Sequence, residues 1–125
     1  VVLMDYAKAA AAVQQYMDGL TGDDVSVVVD LYADDAQIED PIGSDIVSGR
    51  EAITQFYSGV LANIQGAELS GPIRLAANEV AFPFQITIGA ADAPMYMDII
   101  DVFTFNNEGK VMLMRAFWGP ENTRT

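Results

Sequence analysis

The spacing of apolar residues changes along the chain, from a helical repeat to an alternating one. Over residues 3–20, apolar side chains recur every three to four positions, which predicts an amphipathic helix. A second helix is expected from about residue 24 to 33, and a third from about 49 to 66. From residue 67 onward the period falls to two. This pattern predicts four strands, at 67–75, 79–89, 94–105 and 110–118.

Helices followed by a run of strands are typical of an α+β domain, with helices packed on one face of a mostly antiparallel sheet. We expect residues 1–125 to form one such domain. Asn107-Glu108-Gly109 fits a tight hairpin turn between the last two predicted strands. Pro83 is awkward inside a strand, which predicts a bulge or a sheet edge at that point.

The composition excludes several classes of function. The chain carries 18 acidic and 6 basic residues, a net charge of −12 that argues against nucleic acid or an anionic membrane as partner. It has no cysteine and no histidine, so acid–base chemistry must come from Asp, Glu, Tyr or Lys. No spacing of carboxylates indicates a metal site. No stretch resembles a signal peptide or a membrane span, so we expect a cytoplasmic protein.

One carboxylate stands at an unusual place, directly before a proline. The residue before proline favours an extended backbone, so Ile38, Glu39 and Asp40 are interpreted as the end of a strand. Alternate side chains share a face, and Asp40 therefore points the same way as Ile38 while Glu39 points away. Asp40 either opens a turn and faces water, or points into an apolar interior. Burying a carboxylate there costs free energy, so the second arrangement indicates a partner or a functional role for Asp40.

A second carboxylate interrupts an apolar row in the third predicted strand. Asp101 is the one polar member of that row, and an ionised carboxylate there would cost several kcal/mol. Either its pKa rises and it becomes a neutral donor, or it pairs with a backbone amide or with a base such as Arg115 or Arg74. The row comprises Met95, Met97, Ile99, Asp101, Phe103 and Phe105.

Two carboxylates in unlike settings suggest separate acid and base roles. The residues expected to lie between them are apolar and would suit a flat ligand with few polar groups. They are Leu20, Phe56, Phe84, Ile86, Ile99, Met114, Ala116 and Trp118.

Seven short segments, which contain Tyr16, Asp40 and Asp101 among others, together resemble the bacterial Δ5-3-ketosteroid isomerases. These isomerases belong to the NTF2-like or SnoaL-like superfamily, and the resemblance covers most of the chain. The joint presence of Tyr16, Asp40 and Asp101 is the most specific part of the resemblance. The matching segments are Val13-Gln14-Gln15-Tyr16, Leu31-Tyr32-Ala33-Asp34-Asp35-Ala36, Ile38-Glu39-Asp40-Pro41-Ile42-Gly43, Ser48-Gly49-Arg50-Glu51-Ala52-Ile53, Phe56-Tyr57, Asp98-Ile99-Ile100-Asp101-Val102-Phe103 and Met114-Arg115-Ala116-Phe117-Trp118.

The resemblance implies a cone-shaped domain that dimerises through its outer sheet face and needs no metal or organic cofactor. Asp40 would be the general base that moves a proton from C4 to C6 of a 3-oxo-Δ5-steroid. Tyr16 and neutral Asp101 would donate hydrogen bonds to the C3 oxygen, with Tyr57 supporting Tyr16 and Tyr32 supporting Tyr57. A neutral Asp donor is the established arrangement in that family, so this assignment follows from the resemblance.

Two other functions remain open at this point. The same fold hosts epoxide hydrolysis and polyketide ring closure, for which an Asp-Arg-Asp set or a His beside the acid would be expected. It also hosts non-catalytic binding of small molecules or proteins, for which Tyr16 and Asp101 would not both be needed.

Overall fold

The computed structural model describes residues 4–125. Three α-helices and a sheet with eight strands make up this part of the chain. Their bounds are α1 Tyr6–Leu20, α2 Ser26–Val29, β1 Tyr32–Glu39, β2 Val47–Ser48, α3 Arg50–Leu61, β3 Ile64–Leu69, β4 Arg74–Ala76, β5 Glu79–Ala90, β6 Ala93–Phe105, β7 Val111–Phe117, a 3₁₀ turn at Pro120–Asn122, and β8 Thr123–Arg124.

The sheet is curved and mostly antiparallel, and the helices pack on its concave side, which confirms the predicted α+β cone. The strand order is β2-β1-β7-β6-β5-β3, with β4 also beside β5 and β8 beside β6. β1 and β7 pair in parallel, whereas the other ladders described are antiparallel. None of the helices in residues 4–125 is both long and apolar enough to cross a membrane.

Helix α1 begins at Tyr6, three residues later than expected. Asp5 is its N-cap, and the side chain of Asp5 accepts a hydrogen bond of 2.8 Å from the backbone N–H of Lys8. Residue 3, where the prediction started, lies outside the described residues. The predicted apolar stripe is confirmed, since Ala9, Val13, Tyr16 and Leu20 of that stripe are all buried.

The second and third helices are shorter than predicted because strand pairing takes over their ends. Tyr32 pairs with Val111 of β7, so strand β1 starts before the predicted end of α2. Ile64 pairs with Ile88 of β5, so residue 64 begins β3 rather than continuing α3. Gly66, expected to end the helix, lies within that strand. Long-range hydrogen bonding here overrides the local helical pattern.

The strand predicted at 67–75 is two strands, β3 and β4, separated by a break opposite Pro83. The carbonyl of Pro83 accepts a 3.0 Å hydrogen bond from the N–H of Ser70, so its nitrogen faces the break and no ladder bond is lost. Across β5 and β6 the register runs through Pro83 and Ile100 without a shift. The proline is therefore accommodated by a local edge rather than by a bulge.

The hairpin between β6 and β7 is confirmed at Asn107-Glu108-Gly109. The N–H of Gly109 donates to the carbonyl of Asn106 over 3.1 Å. Gly109 has φ of 80°, a left-handed conformation that favours glycine. At the opposite end, β5 and β6 are joined by a two-residue turn, Ala91-Asp92.

Candidate active site

Asp40 follows directly after β1, and its position agrees with the alternation read from the sequence. Ile38 is fully buried, and Asp40 faces a cavity on the same side of the strand. The indole Nε1–H of Trp118 donates to Oδ1 of Asp40 over 2.8 Å. Glu39 points elsewhere and accepts a 2.8 Å hydrogen bond from the N–H of Gly43. The peptide bond between Asp40 and Pro41 is cis.

Two opposing effects act on the acidity of Asp40. Burial raises the pKa of its carboxyl above the ordinary value, because an apolar setting disfavours the charged form. The hydrogen bond from Trp118 stabilises the carboxylate and lowers the pKa in part. Asp40 is thus a half-buried carboxylate whose basicity exceeds that of an exposed one.

Asp101 lies on β6 with its side chain in the interior, and within residues 4–125 it has no basic partner. It is 1 % exposed, and its Oδ1 has no hydrogen-bond partner among the described residues. Arg115 instead pairs with Glu79 over 3.1 Å. Arg74 donates to the carbonyl of Pro72 over 2.8 Å. Neither arginine therefore neutralises Asp101, and the ion-pair alternative does not hold.

An unpaired carboxyl in such a place favours its neutral form. Burial raises the pKa of Asp101 well above its usual range, and the negative charge of Asp40 raises it further. The neighbouring hydroxyl of Tyr16 lowers it, without reversing the direction. The protonated acid has an O–H group that can donate a hydrogen bond into the cavity.

Three tyrosines from three separate elements form one hydrogen-bonded chain. The hydroxyl of Tyr16, on α1, lies 3.2 Å from that of Tyr57, on α3. The hydroxyl of Tyr57 lies 2.5 Å from that of Tyr32, on β1. Burial raises the pKa of Tyr16 well above its ordinary value. Tyr16 is therefore a neutral phenol that can donate to a ligand.

Aromatic packing holds the ring of Tyr16 in place. Its centroid lies 5.1 Å from that of Phe103 and 5.9 Å from that of Phe82, both in edge-to-face contact. Phe82 and Phe103 are fully buried. A side chain fixed by packing loses little conformational freedom on binding a ligand, which is the preorganisation that electrostatic catalysis needs.

These groups surround one cavity of about 280 Å³, between the helices and the inner face of the sheet. Tyr16, Asp40 and Asp101 all line it, so the structure brings the three predicted catalytic side chains together. Tyr57 also lines it, whereas Tyr32 lies behind Tyr57. The complete lining is Tyr16, Leu20, Asp40, Phe56, Tyr57, Val60, Asn63, Ile64, Phe84, Ile86, Ile88, Met97, Ile99, Asp101 and Trp118.

Two predicted lining residues lie elsewhere. Met114 and Ala116 are 0 % and 1 % exposed, and both belong to the core beneath the cavity. Met114 is level with Phe103 in the ladder, where aromatic rings fill the space above the sheet. Ala116 lies beside Asp101, whose longer side chain reaches the cavity instead. Alternation assigned both residues to the inner face but carried no information on depth.

Sequence reasoning missed one end of the cavity. Val60, Asn63, Ile64 and Ile88 line it but were not among the predicted contacts. Asn63 and Ile64 fell inside a helix predicted to run too far, which hid the start of β3. The pairing of Ile64 with Ile88 could have been suspected from the apolar pair at these positions, but only with the strand boundary known.

Comparison with known proteins gives the family. A family model described as the SnoaL-like domain matches residues 13–114. The chain belongs to the SnoaL-like family. A steroid Delta-isomerase of Nocardioides simplex is 41% identical over 114 residues, which cover 91% of this chain and 92% of that protein. The resemblance to ketosteroid isomerases is therefore confirmed.

Other SnoaL-like relatives carry different names. The epoxide hydrolase LasB of Streptomyces lasalocidi is 28% identical over 112 residues, and the match spans only 39% of LasB. A solved structure of SalBIII has a TM-score of 0.85 at 26% identity and covers 95% of this chain and 96% of that one. SalBIII is described as an epoxide hydrolase/cyclase-like enzyme with a role in pyran ring formation in salinomycin. The SnoaL-like fold therefore does not by itself determine the reaction.

Proposed function

We propose that this SnoaL-like protein is a steroid Δ-isomerase, which converts 3-oxo-Δ5-steroids to their conjugated Δ4 isomers. The observation that carries the proposal is the pair of unlike carboxyls on one apolar cavity. Asp40 has a carboxylate stabilised by Trp118, while Asp101 is buried, unpaired and favoured as the neutral acid. Groups whose environments separate their pKa values are suited to act as base and acid.

In the proposed reaction, Asp40 is the general base. Its carboxylate removes the C4 proton, and the C4–H electrons form the C3–C4 double bond of a dienolate while the charge moves to the C3 oxygen. The same carboxyl returns the proton to C6, and the double bond comes to lie between C4 and C5. Proton, electrons and charge balance within one substrate molecule, so no oxidant, reductant or second substrate enters the reaction.

Tyr16 and neutral Asp101 are proposed to stabilise the C3 oxygen as it becomes negative. Both are buried donors, and hydrogen bonds made in a dry site count for more than in water. The ionised Asp40 favours the proton on Asp101, because it raises the pKa of that carboxyl. The base thereby helps to keep the second donor protonated. Tyr57 and Tyr32 are proposed to orient the hydroxyl of Tyr16 through the chain of hydrogen bonds and to help delocalise the negative charge of the dienolate oxygen.

The epoxide hydrolase or cyclase alternative needs a cation or a His beside the acid. The chain contains no histidine. Within residues 4–125, neither an arginine nor a lysine lines the cavity, and Arg115 is held by Glu79. The non-catalytic alternative gives no reason for an unpaired, buried Asp101, which costs folding stability. Both alternatives are therefore less well supported than isomerisation.

Ultraviolet absorbance provides the direct test. Purified protein mixed with 5-androstene-3,17-dione is expected to generate the absorbance of the conjugated enone, in proportion to protein concentration. A second sample given an epoxide substrate of polyether type should show no consumption of the epoxide. Failure of the enone to form, or turnover of the epoxide alone, would contradict the proposal.

We also propose that the chain forms a homodimer through the outer face of its sheet. Ile100 and Phe117 are paired across β6 and β7 on that face and are 47% and 44% exposed. Adjacent large apolar residues in water often mark an interface. Light scattering should give the mass of a dimer, and Ile100→Asp should shift it toward that of a monomer. A monomeric wild-type protein would contradict this proposal.

A further inference from the structure

The cavity extends along β5 and β6 beyond its catalytic end. Along the β5–β6 ladder, Asp101 is opposite Phe82, and Ile88 lies six residues further along β5. Measured along the backbone at about 3.3 Å per residue, this separation is roughly 20 Å, and the curvature of the sheet makes the distance across the cavity shorter. Both Asp101 and Ile88 line the same cavity. A steroid with its C3 oxygen at Asp101 would direct its ring D toward Ile88.

The far end of the cavity has apolar walls from four different elements. We call Val60, Ile64, Ile88 and Met97 the distal subsite. Ile64 and Ile88 are direct partners across the β3–β5 ladder, which fixes their side chains beside each other. Val60, Ile64 and Ile88 are only partly buried, although they pack against the core. An apolar ligand group placed there would remove their remaining surface from water.

One polar side chain, that of Asn63, lies at this end of the cavity, and it is exposed to water. Asn63 is exposed, and its Nδ2–H donates to the carbonyl of Gly59 in the last turn of α3, over 3.3 Å. The other polar lining groups are at the catalytic end, and they are Tyr16, Asp40, Tyr57, Asp101 and Trp118. A ligand oxygen near Asn63 would compete with water for that amide, so the hydrogen bond would add little.

We infer that the preferred substrates carry an apolar chain, rather than an oxygen, on ring D. This inference rests on the proposed function, because it is the C3 oxygen at Tyr16 and Asp101 that directs ring D toward the distal subsite. Each methylene group transferred from water to an apolar site improves affinity about three- to fourfold. A two-carbon chain contacting Ile64 and Ile88 should therefore improve affinity about five- to tenfold, since the subsite is not fully closed.

Binding of matched ligands tests the inference without turnover. The probes are three steroids with a phenolic ring A, which differ only in bearing hydrogen, an ethyl group or a carbonyl oxygen at C17. Trp118 is the single tryptophan and lines the cavity, so quenching of its fluorescence reports binding. The ethyl compound is expected to bind about five- to tenfold more tightly than the hydrogen compound. Equal affinities, or tightest binding of the carbonyl compound, would overturn the inference.

A pair of variants locates the preference in the distal subsite. Ile88→Asn should reduce the ethyl preference to about twofold or less, with little change for the hydrogen compound. Ile46→Asn is the matched control, because Ile46 is 49% exposed and does not line the cavity. It should keep the full preference. An equal loss for both ligands in Ile88→Asn would count against the subsite.

The same ligands distinguish this inference from the isomerase proposal. A protein that shows the ethyl preference but forms no enone keeps the distal subsite and loses the isomerase assignment. A protein that isomerises 5-androstene-3,17-dione but shows no ethyl preference keeps the activity and loses the subsite. The wild-type comparison requires no variant, so poor folding of Ile88→Asn would not obscure the result.

Discussion

Trp118 and Asp40 are 78 residues apart in sequence, and a 2.8 Å hydrogen bond joins them in the candidate active site. The indole donates to the carboxylate, so it favours the charged form that burial disfavours. The two effects leave Asp40 as a carboxylate with raised basicity that still ionises. Trp118 lies just beyond β7 and lowers the pKa of Asp40, which lies just beyond β1. Strands β1 and β7 are neighbours in the sheet, and this brings the two side chains together.

Trp118→Phe should move the acid limb of the pH–rate profile to higher pH. The variant keeps an aromatic ring but loses the donor that lowers the pKa of Asp40, while the burial that raises it remains. The base is active when ionised, so activity falls as pH drops through its pKa, and a higher pKa moves that fall upward. The measurement is kcat/KM for 5-androstene-3,17-dione against pH. Tyr57→Phe, which leaves the Trp118–Asp40 hydrogen bond intact, should not move the acid limb.

Asp40→Asn should lower kcat by at least about 10²–10⁴-fold, because the amide cannot accept the C4 proton. Binding of a phenolic steroid should be retained, since Tyr16 and Asp101 are unchanged. Glu39→Gln is the neighbouring control, and its activity should stay within a few-fold of wild type because Glu39 faces Gly43 instead of the cavity. Near wild-type turnover by Asp40→Asn would show that another group is the base.

Substitutions of the two proposed oxyanion donors, Tyr16 and Asp101, should lower kcat by different amounts. Tyr16→Phe and Asp101→Leu each remove an oxyanion donor and should each cost about 10²–10³-fold in kcat. Asp101→Asn keeps an N–H donor at the same place and should lose much less activity than Asp101→Leu. Single-turnover kinetics would separate the chemical step from product release. Equal rates for the Asn and Leu variants would argue against a donor role for Asp101.

Asp101 should also make the protein less stable as pH rises. Its pKa is raised in the folded state, so the folded protein holds a proton that the unfolded chain has released, and the free energy of unfolding decreases with pH. This loss begins near the ordinary Asp pKa, about pH 4, and continues until the folded carboxyl ionises. Asp101→Asn removes the effect, so its stability advantage over wild type should grow with pH.

Urea denaturation midpoints at a series of pH values provide the measurement for this effect. Asp35→Asn is the matched control, because it removes one charge at an exposed position of β1. Its midpoint should differ from wild type by a nearly constant amount. A constant difference for Asp101→Asn as well would mean that Asp101 does not hold its proton through this range.

The catalytic end of the site could be predicted from the sequence because it depends on alternation. Asp40 shares the direction of Ile38, and Asp101 shares that of Ile99, wherever the strands lie in space. Whether Asp101 has a basic partner could not be predicted, because the pairing of Arg115 with Glu79 joins residues far apart in the chain. Because Arg115 and Arg74 bind other groups, Asp101 becomes a candidate hydrogen-bond donor.

The distal end could not be predicted from periodicity. Its lining depends on where α3 stops and β3 starts, and Ile64 fits both a helical stripe and a strand. The long-range pairing of Ile64 with Ile88 decides between them. Met114 shows the opposite error, since its face was correctly assigned but its depth depends on the rings packed above it. The alternation of residues in a strand predicts which face a side chain points to, whereas its depth depends on how the core packs around it.

The two perturbed carboxyls have a practical consequence in a chain with neither histidine nor cysteine. Apart from the α-amino group, no side chain of ordinary acidity in this molecule exchanges a proton between about pH 6 and 8. Because burial raises the pKa of Asp101 well above its usual range, potentiometric difference titration of wild type against Asp101→Asn would show where that carboxyl ionises, without isotopic labels. Steroid binding in the same cell would register as proton uptake or release by the cavity together with its bound ligand.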